Sequence, residues 1–213
     1  MPGLAFDHRI FSKLNLPGYD VNYIDWIEPL DDESFSQYAG RIAEDIAGSG
    51  KVVLIGHSLG GIASREIAAV KDIDEIILIS SVKSEDEIPV QFRLLEKLDL
   101  NKLFTKELSM KTLSVWGKLY DYENEEEQNL VKDMLSNMSN TYLRWALDKF
   151  LHWKAPDIPT ETKVFHIHGD NDHTLPLRYI KAPDAVIKGG GHFMVYKHPI
   201  EISEIIRSEL SRL

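Results

Sequence analysis

Ser58 stands in the run Gly56-His57-Ser58-Leu59-Gly60, directly after the apolar stretch Val52-Val53-Leu54-Ile55. A serine on a sharp strand-to-helix turn lifts its hydroxyl clear of the sheet, where a neighbouring base can make it a nucleophile. Gly56 and Gly60 suit such a turn because the backbone approaches its neighbours closely there. The N–H of Leu59 would open the following helix and face an oxyanion formed at a carbonyl attacked by Ser58. A base and a group to orient it occur downstream. Gly189-Gly190-Gly191-His192 presents an imidazole from a freely turning loop, and Gly169-Asp170-Asn171-Asp172 offers two carboxylates after the strand-like run Val164 to His168. Serine, aspartate and histidine in these settings amount to the parts for acyl transfer: a nucleophile, a proton acceptor and an anchor for its tautomer.

These residues need rigid elements behind them. Besides Val52 to Ile55, short apolar or alternating runs predict strands at Val21 to Trp26, Ile76 to Ile79, Val164 to His168 and Ala185 to Lys188. Ser34-x-x-Gln37 reads as a capping box leading into Phe35, Tyr38, Ala39, Ile42, Ala43 and Ile46, a stripe ending near Gly48. Leu59 to Val70 predicts the helix after the serine, and Pro199 opens a closing helix. Continuous apolar strands alternating with amphipathic helices predict an α/β fold: a mostly parallel sheet covered by helices on both faces. Residues 84–158 interrupt the alternation with helical stripes, among them Leu130, Val131, Met134, Leu135, Met138 and then Leu143, Ala146, Leu147, Phe150, Leu151. A block of that length either covers the sheet edge or caps the serine and supplies an apolar acyl or alcohol pocket. The acidic stretch Glu123 to Glu127 reads as a solvated helix start.

Composition narrows the partners. The 213 residues are 43% hydrophobic and 27% charged, enough for one domain with a sizeable core. There is no cysteine, which removes disulfides, thiolate metal sites and a cysteine nucleophile. A net charge of -10 argues against nucleic acid, whose phosphates need clustered Lys and Arg. No apolar run reaches membrane-span length, and Asp7, His8 and Arg9 break the start where a secretory segment would be apolar. A cytoplasmic protein acting on a small-molecule acyl substrate is expected. His166, His168, Asp170, Asp172 and His173 crowd together as metal ligands can, but His166 and His168 share one strand face, where structural histidines are commoner. No metal and no cofactor are expected. His57 reads as a packing or hydrogen-bonding residue.

Gly-His-Ser-Leu-Gly-Gly, His-Gly-Asp-Asn-Asp-His-Thr-Leu-Pro and Gly-Gly-His-Phe-Met resemble the nucleophile elbow, acid turn and histidine loop of the α/β-hydrolase superfamily, which uses this chain order of serine, acid and histidine. The resemblance implies a core of residues 1–83 and 159–213, with 84–158 inserted as a helical cap. It implies Ser58 as nucleophile, His192 as general base and Asp172 as acid. Asp172 is preferred to Asp170 because the family's acid lies three residues after the turn glycine, here Gly169. Pro2-Gly3-Leu4 resembles the first oxyanion loop, which makes the Leu4 N–H the second donor beside that of Leu59. A serine nucleophile implies hydrolysis of a carboxylic ester or related acyl bond, and sets aside the branches that use aspartate. The alternative is a non-hydrolytic, ligand-binding or inactive protein on the same fold. One departure stands out: the family has a buried central strand just before the oxyanion loop, whereas here Met1 directly precedes Pro2-Gly3. About five strands are recognisable where the family commonly has eight. A central gap would leave backbone groups unpaired at about 1–3 kcal/mol each if buried, so the expectation is that the sequence starts late or that neighbouring strands close the gap.

Overall fold

Ser34 starts the first long helix, α1 (Phe35–Glu44), as its spacing predicts. Its hydroxyl accepts from the Gln37 N–H at 3.1 Å, and the Gln37 side chain accepts from the Ser34 N–H at 2.9 Å. The structure is a computed structural model that describes residues 1–46, 50–92 and 104–213. The expected helix end near Gly48 lies outside those residues, and α1 closes at Asp45. Next come β1 (Val53–His57), α2 (Leu59–Ala68) and β2 (Glu75–Ile79). The described part of residues 84–158 then holds no strand; after a short 3-10 turn (Glu85–Glu87) and helical residues at 90–92 come α3 (Lys106–Lys111), α4 (Leu113–Tyr120), α5 (Glu125–Ser136) and α6 (Asn140–Leu151). β3 (Lys163–Gly169) and β4 (Ala185–Ile187) complete the sheet, and α7 (Met194–Lys197) and α8 (Pro199–Leu210) close the chain.

Among the described residues the sheet has four strands in the order β1-β2-β3-β4, all parallel. All five residues of β2 are buried, as a central strand covered on both faces requires. Its side chains divide with the period of two. Ile76 and Leu78 join the cluster under α1 and α2, while Ile77 and Ile79 face the cluster built with Phe193, Ile202 and Ile206. Pro199 occupies the first turn of α8, where its missing N–H costs nothing. At the β1 edge, Met1 extends the ladder: its N-terminal amine donates to the Ile55 carbonyl at 2.7 Å and its carbonyl accepts from the His57 N–H at 3.0 Å.

Two sequence expectations are corrected. Val21 to Trp26 forms no strand. A cleft of about 500 Å³, lined by Tyr19 to Ile24 on one side and Val53 to Ile55 on the other, separates the segment from β1. Its polar groups find other partners: Asp25 accepts from the His8 N–H, and the Trp26 indole N–H donates to the Gly3 carbonyl. The acidic run is only partly solvated. Asn124 caps α5, and Glu127 is buried with its carboxylate accepting from the Glu123 N–H at 3.0 Å.

Candidate active site

The elbow follows from a conflict between strand and helix geometry. β1 ends at His57, α2 begins at Leu59, and Ser58 alone absorbs the turn with φ 51° and ψ -121°. That left-handed φ is strained for a residue with a Cβ, and such strain persists only where surroundings hold it. Here they do: the Ser58 N–H donates to the Ile79 carbonyl at 3.0 Å, and the Ser58 carbonyl accepts the Ser81 hydroxyl at 2.6 Å. Gly56 and Gly60 have the reason for being small that the sequence suggested. A Cβ on Gly56 would lie 2.5 Å from the Gly60 carbonyl oxygen, and one on Gly60 would lie 2.2 Å from that of Met1.

The structure brings Ser58, His192 and Asp172 together. The Ser58 hydroxyl donates to His192 Nε2 at 2.9 Å, and His192 Nδ1–H donates to Asp172 Oδ2 at 2.8 Å. The His192 and Asp172 side chains are fully buried. Burial alone would push the Asp172 carboxyl up. The attraction and hydrogen bond of His192, with His168 and the Leu175 N–H, outweigh it and hold the group below the ordinary carboxylate range. Asp172 Oδ1 is held separately, accepting the N–H groups of Thr174 and Leu175 at 2.9 and 2.8 Å. Asp170 is elsewhere: its Oδ1 accepts from the Gly189 N–H, bracing the glycine turn before His192.

Leu59 is the first residue of α2, so its N–H is among those that a helix start leaves free of intrahelical bonds. Leu4 lies in a turn closed by the Phe6 N–H on the Gly3 carbonyl at 3.1 Å. That turn packs on the elbow, since a Cβ on Gly3 would lie 3.0 Å from Ser58 Cβ and 2.8 Å from His57 Nδ1. Both expected oxyanion donors therefore belong to segments beside the serine.

Three supporting residues join these. His57 donates from Nε2 to the His192 carbonyl at 2.8 Å, and burial pushes its imidazole down to about 3, so it stays neutral. His168 Nε2 donates to the Leu175 carbonyl at 2.7 Å and accepts the His166 Nε2–H on Nδ1 at 3.1 Å, as strand-face structural histidines do. The described residues contain no group of three or more His, Cys, Asp or Glu able to hold a metal ion. Tyr120 of α4 packs edge-on against His192, with ring centroids 5.1 Å apart. Sequence reading missed Ser81 and Tyr120. Ser81 had a faint signal in its place two residues past a buried strand adjacent to the elbow strand; Tyr120 had none.

Beside these residues opens a cavity of about 430 Å³, walled by Leu4 and Phe6, by Leu113, Trp116 and Tyr120 of α4, and by Thr174. Among the described residues no helix is long and apolar enough to cross a membrane.

A profile described as the alpha/beta hydrolase family matches residues 3–205. No curated protein matches the chain. An esterase from Exiguobacterium antarcticum superposes with a TM-score of 0.75 at 16% identity, covering 99% of this chain and 92% of the esterase. A bromoperoxidase from Bacillus anthracis gives 0.63 at 19% identity, covering 87% of this chain and 77% of its own. An N-acyl homoserine lactonase in complex with N-butanoyl homoserine gives 0.67 at 15% identity, with 98% and 86% covered. At such identities these likenesses carry the fold alone.

Proposed function

The chain belongs to the alpha/beta hydrolase family, and we propose that within it the protein is a serine hydrolase cleaving a carboxylic ester or related acyl bond through an acyl-enzyme. The observation that carries this reading is the continuous hydrogen-bonded series from Ser58 Oγ through His192 to the buried Asp172. His192 Nε2 takes the serine proton as Oγ attacks the carbonyl carbon. Asp172 keeps Nδ1 protonated and stabilises the imidazolium that forms. The N–H groups of Leu59 and Leu4 meet the negative oxygen of the tetrahedral intermediate, each worth roughly 100- to 1000-fold in turnover. The imidazolium returns its proton to the leaving alkoxide, and water, deprotonated by His192, then releases the acid and restores Ser58. The helices α3 to α6 act as a cap beside the serine, with Tyr120 of α4 against His192. The esterase and lactonase names among the structural neighbours agree with acyl chemistry.

A fluorophosphonate probe should label the wild-type protein and leave Ser58→Ala unlabelled. The same substitution should cut turnover of chromogenic acyl esters by roughly 10⁶-fold. A folded wild-type protein that is neither labelled nor hydrolytic across a graded ester series points instead to a ligand-binding protein on this fold.

A further inference from the structure

The end of α4 is where the helical block meets the triad, and four consecutive residues make the junction. The Leu119 carbonyl accepts the Thr174 hydroxyl at 3.1 Å, and the Thr174 N–H in turn holds Asp172. Tyr120 sets its ring against His192, with centroids 5.1 Å apart and planes at 82°. Asp121 ends the helix in the left-handed region at φ 65°, which aspartate tolerates better than most residues. Its carboxylate accepts from Lys197 Nζ at 2.6 Å, and Lys197 ends α7, which starts two residues after His192. The Asp121 side chain also lies directly over Gly191, where a Cβ would sit 2.4 Å from Asp121 Cβ. Tyr122 packs edge-on against Phe193 at 5.8 Å. One short segment thus touches the acid turn, the residues on both sides of His192, and His192 itself. His57 packs on the same imidazole from within the elbow; Tyr120 is the contact that the cap supplies.

The imidazole needs such a hold at one stage of the reaction. In the resting protein two hydrogen bonds fix it, to Asp172 from Nδ1 and from Ser58 to Nε2. Once Ser58 Oγ is bonded to an acyl carbon it has no proton to donate, and only the Asp172 bond remains. A ring held by one hydrogen bond can turn about it, and a misplacement of about 1 Å costs on the order of 100-fold in rate. We propose that Tyr120 is a positioning residue whose ring keeps His192 Nε2 aimed at the leaving oxygen and then at the attacking water. The Thr174–Leu119 bond and the Asp121–Lys197 pair hold Tyr120 in place. This rests on the serine-hydrolase reading.

The test uses 4-nitrophenyl acetate, whose acyl group is too short to draw on the cavity wall that Tyr120 also forms. Stopped-flow release of 4-nitrophenol and intact mass of the quenched protein separate acylation from deacylation. Acylation starts with the Ser58–His192 bond in place and deacylation starts without it. Tyr120→Leu should therefore slow deacylation by about 10- to 100-fold and acylation by less than about threefold, so that acetyl-Ser58 accumulates. Tyr120→Phe keeps the ring and should recover most of the loss. Lys197→Met should slow deacylation by about threefold alone, the scale of a part-exposed ion pair, and add nothing in the Tyr120→Leu background. The proposal is overturned if Tyr120→Leu leaves deacylation unchanged or slows both steps equally, if Tyr120→Phe fails to recover the loss, or if the Lys197 and Tyr120 effects multiply. Fluorophosphonate labelling separates the two levels: labelled Ser58 with a wild-type-like Tyr120→Leu removes the Tyr120 role and keeps the hydrolase. With Ser58 unlabelled, the low-field proton resonance of His192 Nδ1–H decides the hold by itself in Ser58→Ala protein, which lacks the serine bond. A sharp resonance lost in Ser58→Ala/Tyr120→Leu and kept in Ser58→Ala/Tyr120→Phe upholds it. Equal signals in all three proteins, or none, overturn it.

Discussion

At the scale of single residues, the two aspartates of one turn have opposite duties. Asp172 turns inward, buried, and holds His192 Nδ1 at 2.8 Å; Asp170 turns outward and ties the Gly189 N–H at 2.6 Å. Asp172→Asn preserves the shape but offers His192 a partner that no longer requires Nδ1 to be the donor. The wrong tautomer then faces Ser58, and kcat should fall by about 10⁴-fold. Asp170→Asn should change kcat by less than about tenfold, since an amide oxygen can still accept from Gly189. Steady-state kinetics of the two variants decides the assignment, and equal losses would contradict it. The proposed triad was legible because each member comes with its own local signature: a glycine-flanked serine, an Asp-rich turn and a histidine after three glycines. Ser81 and Tyr120 carry no such signature. They matter through contacts between segments 23 and 72 residues apart, to Ser58 and His192, that only the folded chain creates.

At the scale of elements, the strands and helices around the serine follow from apolar periodicity, and the capping box at Ser34 places α1 to the residue. Val21 to Trp26 failed because alternation states that a segment can join a sheet, not that an edge is within reach. The attachment of the helical block to the core was equally hidden. Trp153, just past α6, donates its indole N–H to Glu66 of α2 at 2.8 Å, with both residues at most 6% exposed. Burial raises the Glu66 carboxyl, partly offset by that bond and by Arg65. Trp153→Phe keeps most of the packing and strips Glu66 of its donor, so stability should fall by about 1–3 kcal/mol. Adding Glu66→Leu removes the stranded carboxyl and should recover part of the loss. Urea unfolding of the single and double variants measures both steps, and a neutral Trp153→Phe would mean that the contact anchors nothing.

At the scale of the whole molecule, three of the four fully buried histidines, His57, His166 and His168, set the response to acid. His57 and His166 are pushed down to about 3, mainly by burial, and His168 is lowered for the same reason. Unfolding frees each imidazole to bind a proton at its ordinary value of 6.5. Between pH 6.5 and 3 the unfolded chain therefore holds more protons at His57 and His166, and each of these two removes about 1.4 kcal/mol of stability per pH unit as the pH falls, with His168 acting in the same direction. Glu75 acts with the opposite sign. It begins β2 with no exposure, and burial together with nearby Glu209 of α8 raises it from 4.5 to about 7. Its favourable contribution is complete below pH 4.5 and is lost as the pH rises through 7. Variants separate the two effects. His166→Asn should flatten the acid limb by about one histidine's slope, while Glu75→Gln should stabilise the protein at pH 8 and give no gain at pH 4. Urea midpoints from pH 4 to 8 supply the comparison. Should His166→Asn track the wild type in parallel at every pH, His166 would have to be charged in the folded protein, and a charged His166 has no counter-ion in the geometry that links it to His168.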